Sequence, residues 1–221
     1  MVPEATPLTD DSALRIPFLR LDPSGRRLAL WAWIDQAQGD PRLLWSSCPR
    51  GDWLAWWLSS FPAVRLALVR ACCECLRMAE AGFPLCLDAP RRFLIAVVAW
   101  TEGLGELDPC LEASHECALL AADESLAASL RATARAVLWL ARFLAPAAPE
   151  GPLAAPPEAS EVCLTLWHAA AAIASEVNPT EPAGSPWWGR CLEAALGRFA
   201  EVLRGCVDFE DIELSRDQPS P

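Results

Sequence analysis

The chain predicts an all-α fold of about seven to nine helices, packed as an irregular bundle or as stacked antiparallel pairs. Three observations carry that expectation. Leu and Ala dominate the apolar residues while β-branched residues are sparse, a balance that favours helix over strand. Apolar side chains recur at i, i+3 and i+4 through most of the length, the spacing that gathers them on one helix face. Finally, Asp88-Ala89-Pro90, Asp108-Pro109 and Ser185-Pro186 each join a capping side chain to a proline in the first turn, where the missing N–H has no helical partner to lose.

Taken in order, Met1–Asp11 is polar with Pro3 and Pro7, and Leu14–Leu21 alternates as a short extended piece closed by the Asp22-Pro23-Ser24-Gly25 turn. Arg26–Gln38 sets Leu30, Trp33, Ile34 and Ala37 at helical spacing, and Gly39-Asp40-Pro41 stops it. Asp52 is the expected N-cap of a short helix through Ser59, with Trp53, Trp56 and Trp57 on one buried face. A helix begun at Pro62 carries the stripe Leu66, Val69, Cys73 and Leu76, leaves Arg65, Glu74 and Arg77 outside, and closes at Gly82.

The helix from Asp88 holds Phe93, Leu94, Val97, Val98 and Trp100 until Gly103 and Gly105 break it. Asp108-Pro109 opens a helix through Leu111, Ser114, Ala118 and Ala121. It continues or kinks near Asp123-Glu124-Ser125 into a stretch ending at Leu144, with Leu126, Leu130, Val137, Leu138 and Leu140 as the buried face. APAAPEGPLAAPP, Ala145 to Pro157, has five prolines and no periodicity and reads as an extended surface connection. Glu158–Val177 and Pro186–Cys206 are two further helices, after which VDFEDIELSRDQPSP is acidic with Phe209, Ile212 and Leu214 interspersed. The chain thus divides into an N-terminal extension (1–25), a main helical core (26–146), the Pro-rich connection (147–157), C-terminal helices packing on the core (158–207) and an acidic tail (208–221).

The net charge of −11 is unevenly spread. From Ala147 onward 12 acidic residues face 4 arginines, a balance of −8, whereas the first 146 residues hold 17 against 14, a balance of −3. Such a carboxylate-rich surface opposes phosphate backbones, so nucleic acid is not an expected partner; a basic protein is, with simple solubility as the alternative. All 18 basic residues are Arg, and Lys and Tyr are absent, which reads as the codon bias of a GC-rich bacterial genome.

Ten cysteines raise the question of disulfides. No basic start followed by an apolar core and a small-residue cleavage site opens the chain. Several cysteines lie inside apolar helical runs, where a thiol behaves as a small hydrophobe. A cytoplasmic protein with mostly reduced, buried cysteines is expected. Arg65, Arg70 and Glu74 interrupt the apolar runs before the ~18 residues a membrane span needs, so no membrane partner is expected.

Cys72-Cys73-Glu74-Cys75 contains a C-x-x-C pair, but a helix interior supplies neither the dipole that lowers a thiol pKa nor the geometry of a zinc site, and packing is the preferred reading. Cys110, His115 and Cys117 fall on one helix, Cys163 and His168 on another. Cys110 and Cys117 share a face, so a zinc site joining Cys110, Cys117 and His168 is the one metal alternative; otherwise neither metal nor cofactor is expected. No E-x-x-H, phosphate-binding Gly-rich loop or G-x-S-x-G occurs, and no catalytic residue is assigned. Among the 11 tryptophans, Trp187-Trp188 follow Gly184-Ser185-Pro186 at a loop–helix junction, as a core plug or an interface anchor. Asp208, Glu210, Asp211 and Glu213 belong either to a frayed end, the plainer reading, or to a docking segment. Trp187, Trp188 and these four carboxylates form the candidate partner-binding set.

DWLAWWL, a proline-started helix ending RACCECLR, DAPRRFLIAVVAWTEG, and ECALLAADESLAASLRATARAVLWLARF together resemble a family of helical, alanine-rich bacterial and phage proteins labelled as immunity proteins. The similar region is Asp52–Phe143, and the positions matching the family pattern are Trp53, Cys73, Trp100 and Gly103, all readable as packing residues. The chain departs from that pattern in being less Ala-repetitive and in its long N-terminal portion and Pro-rich insertion. The resemblance implies an all-α fold and a place in toxin–antidote or defence modules. The function expected is that of a non-enzymatic protein-binding protein, an immunity-type inhibitor or adaptor acting through an acidic, Trp-containing surface. A zinc- or thiol-dependent enzyme and a structural subunit of a larger phage-derived or compartment-associated assembly are the alternatives.

Overall fold

In a computed structural model the described residues are 27–37, 40–80, 88–145 and 159–216. Every regular element among them is helical: α1 (Arg27–Gln36), α2 (Pro41–Ser47), α3 (Gly51–Leu58), a 3-10 turn (Pro62–Val64), α4 (Arg65–Glu80), α5 (Asp88–Thr101), α6 (Asp108–Ala122), α7 (Ala128–Leu144), α8 (Ala159–Val177), α9 (Pro186–Cys206) and α10 (Phe209–Arg216). The fold is all-α. The extended piece at Leu14–Leu21 and the Pro-rich connection lie outside the described residues.

The cysteine-bearing helix α4 is the centre of the packing, in contact with α5, α7, α8 and α9. Its composition explains how four neighbours fit. Ala71, Cys72, Cys73, Cys75 and Ala79 are small and fully or almost fully buried, so helix axes approach closely, while Leu68, Val69 and Leu76 fill the remaining space. Leu66 stands outside this set at 48% exposure. The expected stripe therefore rotates: α4 buries side chains on several flanks at once, and the residue left to solvent falls on the line of Arg70, Glu74 and Arg77. Around it α5, α6, α7, α8 and α9 pack each on the next, with the α7–α8 pair the most extensive, and α3 lies across α8 and α9.

Helix starts follow local chemistry with some shifts. Ser185 caps α9, its hydroxyl accepting from the Trp188 N–H at 3.1 Å, with Pro186 in the first turn. Asp52 is not the N-cap of α3: Arg50 occupies that position, and Asp52 lies in the first turn, where a carboxylate still complements the helix dipole. Leu107 likewise takes the cap position of α6. Trp53 and Trp56 are buried as expected and Trp57 is half-buried. Between α6 and α7 the chain breaks, with the Asp123 carboxylate accepting from the Ser125 N–H at 2.9 Å and from its hydroxyl at 2.6 Å. The buried face of α7 is built mainly from Ala134, Ala136, Val137, Leu140, Phe143 and Leu144, while Leu126, Leu130 and Leu138 are half-buried.

Two short helices add to the expected number. Asp40-Pro41, read as a stop, is also a start: the Asp40 carboxylate accepts from the Arg42 N–H at 2.8 Å and caps α2. The acidic tail is not frayed through Phe209–Arg216, because α10 lies against the 3-10 turn and buries Ile212 completely. Gly51 permits one close approach on which this corner depends. A Cβ there would stand 2.5 Å from Phe199 Cβ and 2.9 Å from the Ala200 amide nitrogen of α9.

Candidate functional site

The expected binding set separates into two places. At the start of α9, Trp188 is buried at 7% exposure, its indole Nε1 donates to Ser175 Oγ at 3.2 Å, and its ring meets Trp167 edge-on at 6.4 Å between centroids. A buried indole whose N–H is satisfied inside the fold is an anchor for α8 against α9. Trp187 beside it is half-buried. From there α9 runs about 30 Å to Cys206 before α10 begins, so the tryptophan pair and the four carboxylates sit at opposite ends of one helix and form no single patch.

At the α10 end the carboxylates are fixed in place. Asp208 Oδ1 accepts from the Glu210 N–H at 3.0 Å, Phe209 packs on Trp45 with centroids 6.2 Å apart, and Ile212 is the buried foot of the helix. Arg42 then clamps Glu213, donating from Nε and Nη2 to its two oxygens, each at 3.1 Å, while the guanidinium lies 5.2 Å from the centre of the Phe209 ring. Asp208, Glu210 and Asp211 remain exposed. A surface depression of about 370 Å³ adjoins them, lined by Trp45, Arg204, Val207, Asp208 and Phe209 among others. Arg204 is occupied there, donating from Nε to the Trp45 carbonyl at 2.9 Å and from Nη2 to the Cys48 carbonyl. The exposed carboxylates of α10 thus lie near half-buried Trp45 and not near Trp187 and Trp188. The signal for that placement is Asp40-Pro41, the same capping device that marks the longer helices, which here opens a helix carrying Trp45 toward α10.

A second polar cluster, unanticipated from sequence, lies at the α3 entry. Arg50 donates from Nε to Asp52 Oδ1 at 3.0 Å, from Nη2 to Oδ2 at 2.7 Å and from Nη1 to Glu193 Oε1 at 2.9 Å, and stacks 4.8 Å from the Trp53 ring centre. The Arg50 and Asp52 side chains are only 9% and 7% exposed. Two thiols complete it: Cys48 Sγ donates to the Arg50 carbonyl and Cys163 Sγ to the Asp52 carbonyl, both at 3.1 Å. This cluster ties α3 to α8 and α9.

Burial disfavours the thiolate at most of the described cysteines; Cys191 is half-buried and Cys206 exposed. Burial pushes Cys48 and Cys73 up to about 12, and Cys72, Cys75 and Cys163 well up. Cys110 and Cys117 on α6 are held at about 11 and about 12, again by burial. His168 on α8 is pushed down to about 4 by burial and, secondarily, by Arg135, and its ring meets Trp167 edge-on. Cys110, Cys117 and His168 do not form the zinc site considered above, since α6 and α8 each pack on α7 and no three His, Cys, Asp or Glu side chains converge as a metal site among the described residues. Nor is any described helix long and apolar enough to cross a membrane. No protein-family model, curated protein or solved structure matches the chain.

Proposed function

We propose that this protein acts by binding another protein, as an immunity-type inhibitor or adaptor does, through the acidic surface that α10 and α2 build together. The observation that carries this reading is the anchoring of α10. Ile212 buried beneath it and Arg42 on Glu213 hold Asp208, Glu210 and Asp211 in fixed positions beside the half-buried Trp45–Phe209 pair. Carboxylates on an ordered helix steer a basic partner without first losing chain entropy, and an aromatic pair in a shallow depression is suited to anchor it. The mechanism is steric and electrostatic cover of a basic site. Free thiols at nine described positions, seven of them buried, suit a reducing cytoplasm as the setting.

The test is a native pull-down with the wild type and with Glu210→Arg/Asp211→Arg, both changes being on exposed side chains. The expected result is a basic protein recovered at low salt, released as salt rises and missing from the variant. Equal capture by both proteins, or no complex at low salt, would sink the proposal.

A further inference from the structure

The outer face of α7 differs in kind from the rest of this acidic molecule. One turn after another it presents Arg131, Arg135, Trp139 and Arg142, with Leu138 beside them, and α7 contains no carboxylate at all. Arg135 and Arg142 are exposed, and among the described residues neither forms an ion pair; Arg142 instead lies 4.6 Å from the Trp139 ring centre. Arg131 Nε is buried without a hydrogen-bond acceptor. Of the acidic groups on the neighbouring helix α6, Glu116 is engaged by Arg92 of α5. Asp123, at the turn before α7, is engaged by the Ser125 amide and hydroxyl, and Glu161 of α8 is half-buried. Half-buried Trp167 and His168 extend the surface onto α8.

Arginine and tryptophan with almost no carboxylate is the composition of a protein-interface centre, and a guanidinium fork matches a carboxylate in two hydrogen bonds. We propose that the ridge from Arg131 to Arg142 docks a carboxylate-rich segment of another protein. The arginines span about 16 Å along the helix, which an acidic stretch of about five extended residues, or about three turns of an acidic helix, matches in length. A nucleic acid is the less suitable occupant, because a long polyphosphate must also lie against a molecule of net charge −11, whereas a short acidic segment meets only the ridge. This surface is independent of the α10 reading and opposite to it in charge.

The experiment is fluorescence anisotropy of the full chain at low salt, with a dye-labelled Glu-rich peptide of about twelve residues bearing two leucines and a single-stranded oligonucleotide of equal length. Saturable peptide binding is expected, weakened at least about tenfold by Arg135→Glu/Arg142→Glu and less by Arg135→Gln/Arg142→Gln. Circular dichroism establishes that each variant is folded. No peptide binding, binding indifferent to the α7 changes, or tighter binding of the oligonucleotide would each overturn the proposal.

Discussion

Two arginine forks in this protein are built alike and do different work. Arg50 grips Asp52, and Arg42 grips Glu213, with the same two nitrogens, Nε and Nη2, on the two oxygens of one carboxylate. Both guanidinium groups also lie over an aromatic ring, Trp53 in one case and Phe209 in the other. The difference is water. The Arg50–Asp52 side chains are 9% and 7% exposed, the Arg42–Glu213 side chains 70% and 44%. Inside, each charge depends on its partner, since removing one leaves the other unsolvated; outside, water and salt replace a lost partner at little cost. Equal geometry therefore marks a structural joint at the α3 entry and a light clasp on α10.

The two forks differ most in what the loss of Asp52 costs. Asp52→Ala takes from buried Arg50 the carboxylate that meets its Nε and Nη2, and the expected loss is about 3 kcal/mol or more in urea unfolding. Replacing the pair together, Arg50→Met/Asp52→Leu, is expected to recover much of that loss. A loss below about 1 kcal/mol in the single variant would mean that burial does not separate the two forks. Next in size is Gly51→Ala at the same joint, where the added methyl meets Phe199 Cβ and the Ala200 backbone. Overpacking against backbone is expected to cost up to about 3 kcal/mol, and an unchanged melting temperature would show that the α3–α9 contact gives way freely.

Half-buried His168 is also held from water, its imidazole staying neutral down to about pH 4, by burial first and by Arg135 second, against about 6.5 when unfolded. Across that window the unfolded chain binds a proton that the folded chain refuses, so stability falls as pH falls. Between pH 7 and pH 5 the share due to His168 is about 2 kcal/mol, measured as the difference in slope between wild type and His168→Gln. Parallel slopes would place the ring in contact with water. The smallest effect belongs to the exposed fork: Glu213→Ala is expected to cost less than about 1 kcal/mol, and less again at high salt. Amide exchange at Ile212 is its sharper readout, because loosening of α10 appears there before global stability changes. A large, salt-independent loss would give the clasp a weight equal to the joint.

The long capped helices were legible for local reasons. Ser185-Pro186 places a hydroxyl at the cap and a proline in the first turn, and both act within one turn of the chain whatever surrounds them. The cysteines of α4 were legible as core because three thiols packed between Val69 and Leu76 lack the turn or helix start that a reactive thiol needs. By contrast α2 and α10 span 7 and 8 residues, lengths at which a helix in water is marginal and tertiary contacts decide. Phe209 on Trp45 and the burial of Ile212 supply those contacts for α10, from partners more than a hundred residues away along the chain.

The candidate surface divides along the same line. Carboxylates crowd the C-terminal third by composition, and no neighbour is needed to see them. That Trp188 is committed to Ser175 and Trp167, that Trp45 takes its place beside the acids, and that Arg131, Arg135 and Arg142 share one open face with Trp139 depend on which helices lie against which. By itself the sequence determined the helical class, most of the helix boundaries and the sign of the charge, because propensity, capping and composition act over a few residues. Only the tertiary structure decided which polar groups are buried and which tryptophans are open, because solvent exposure depends on contacts between segments far apart in the chain.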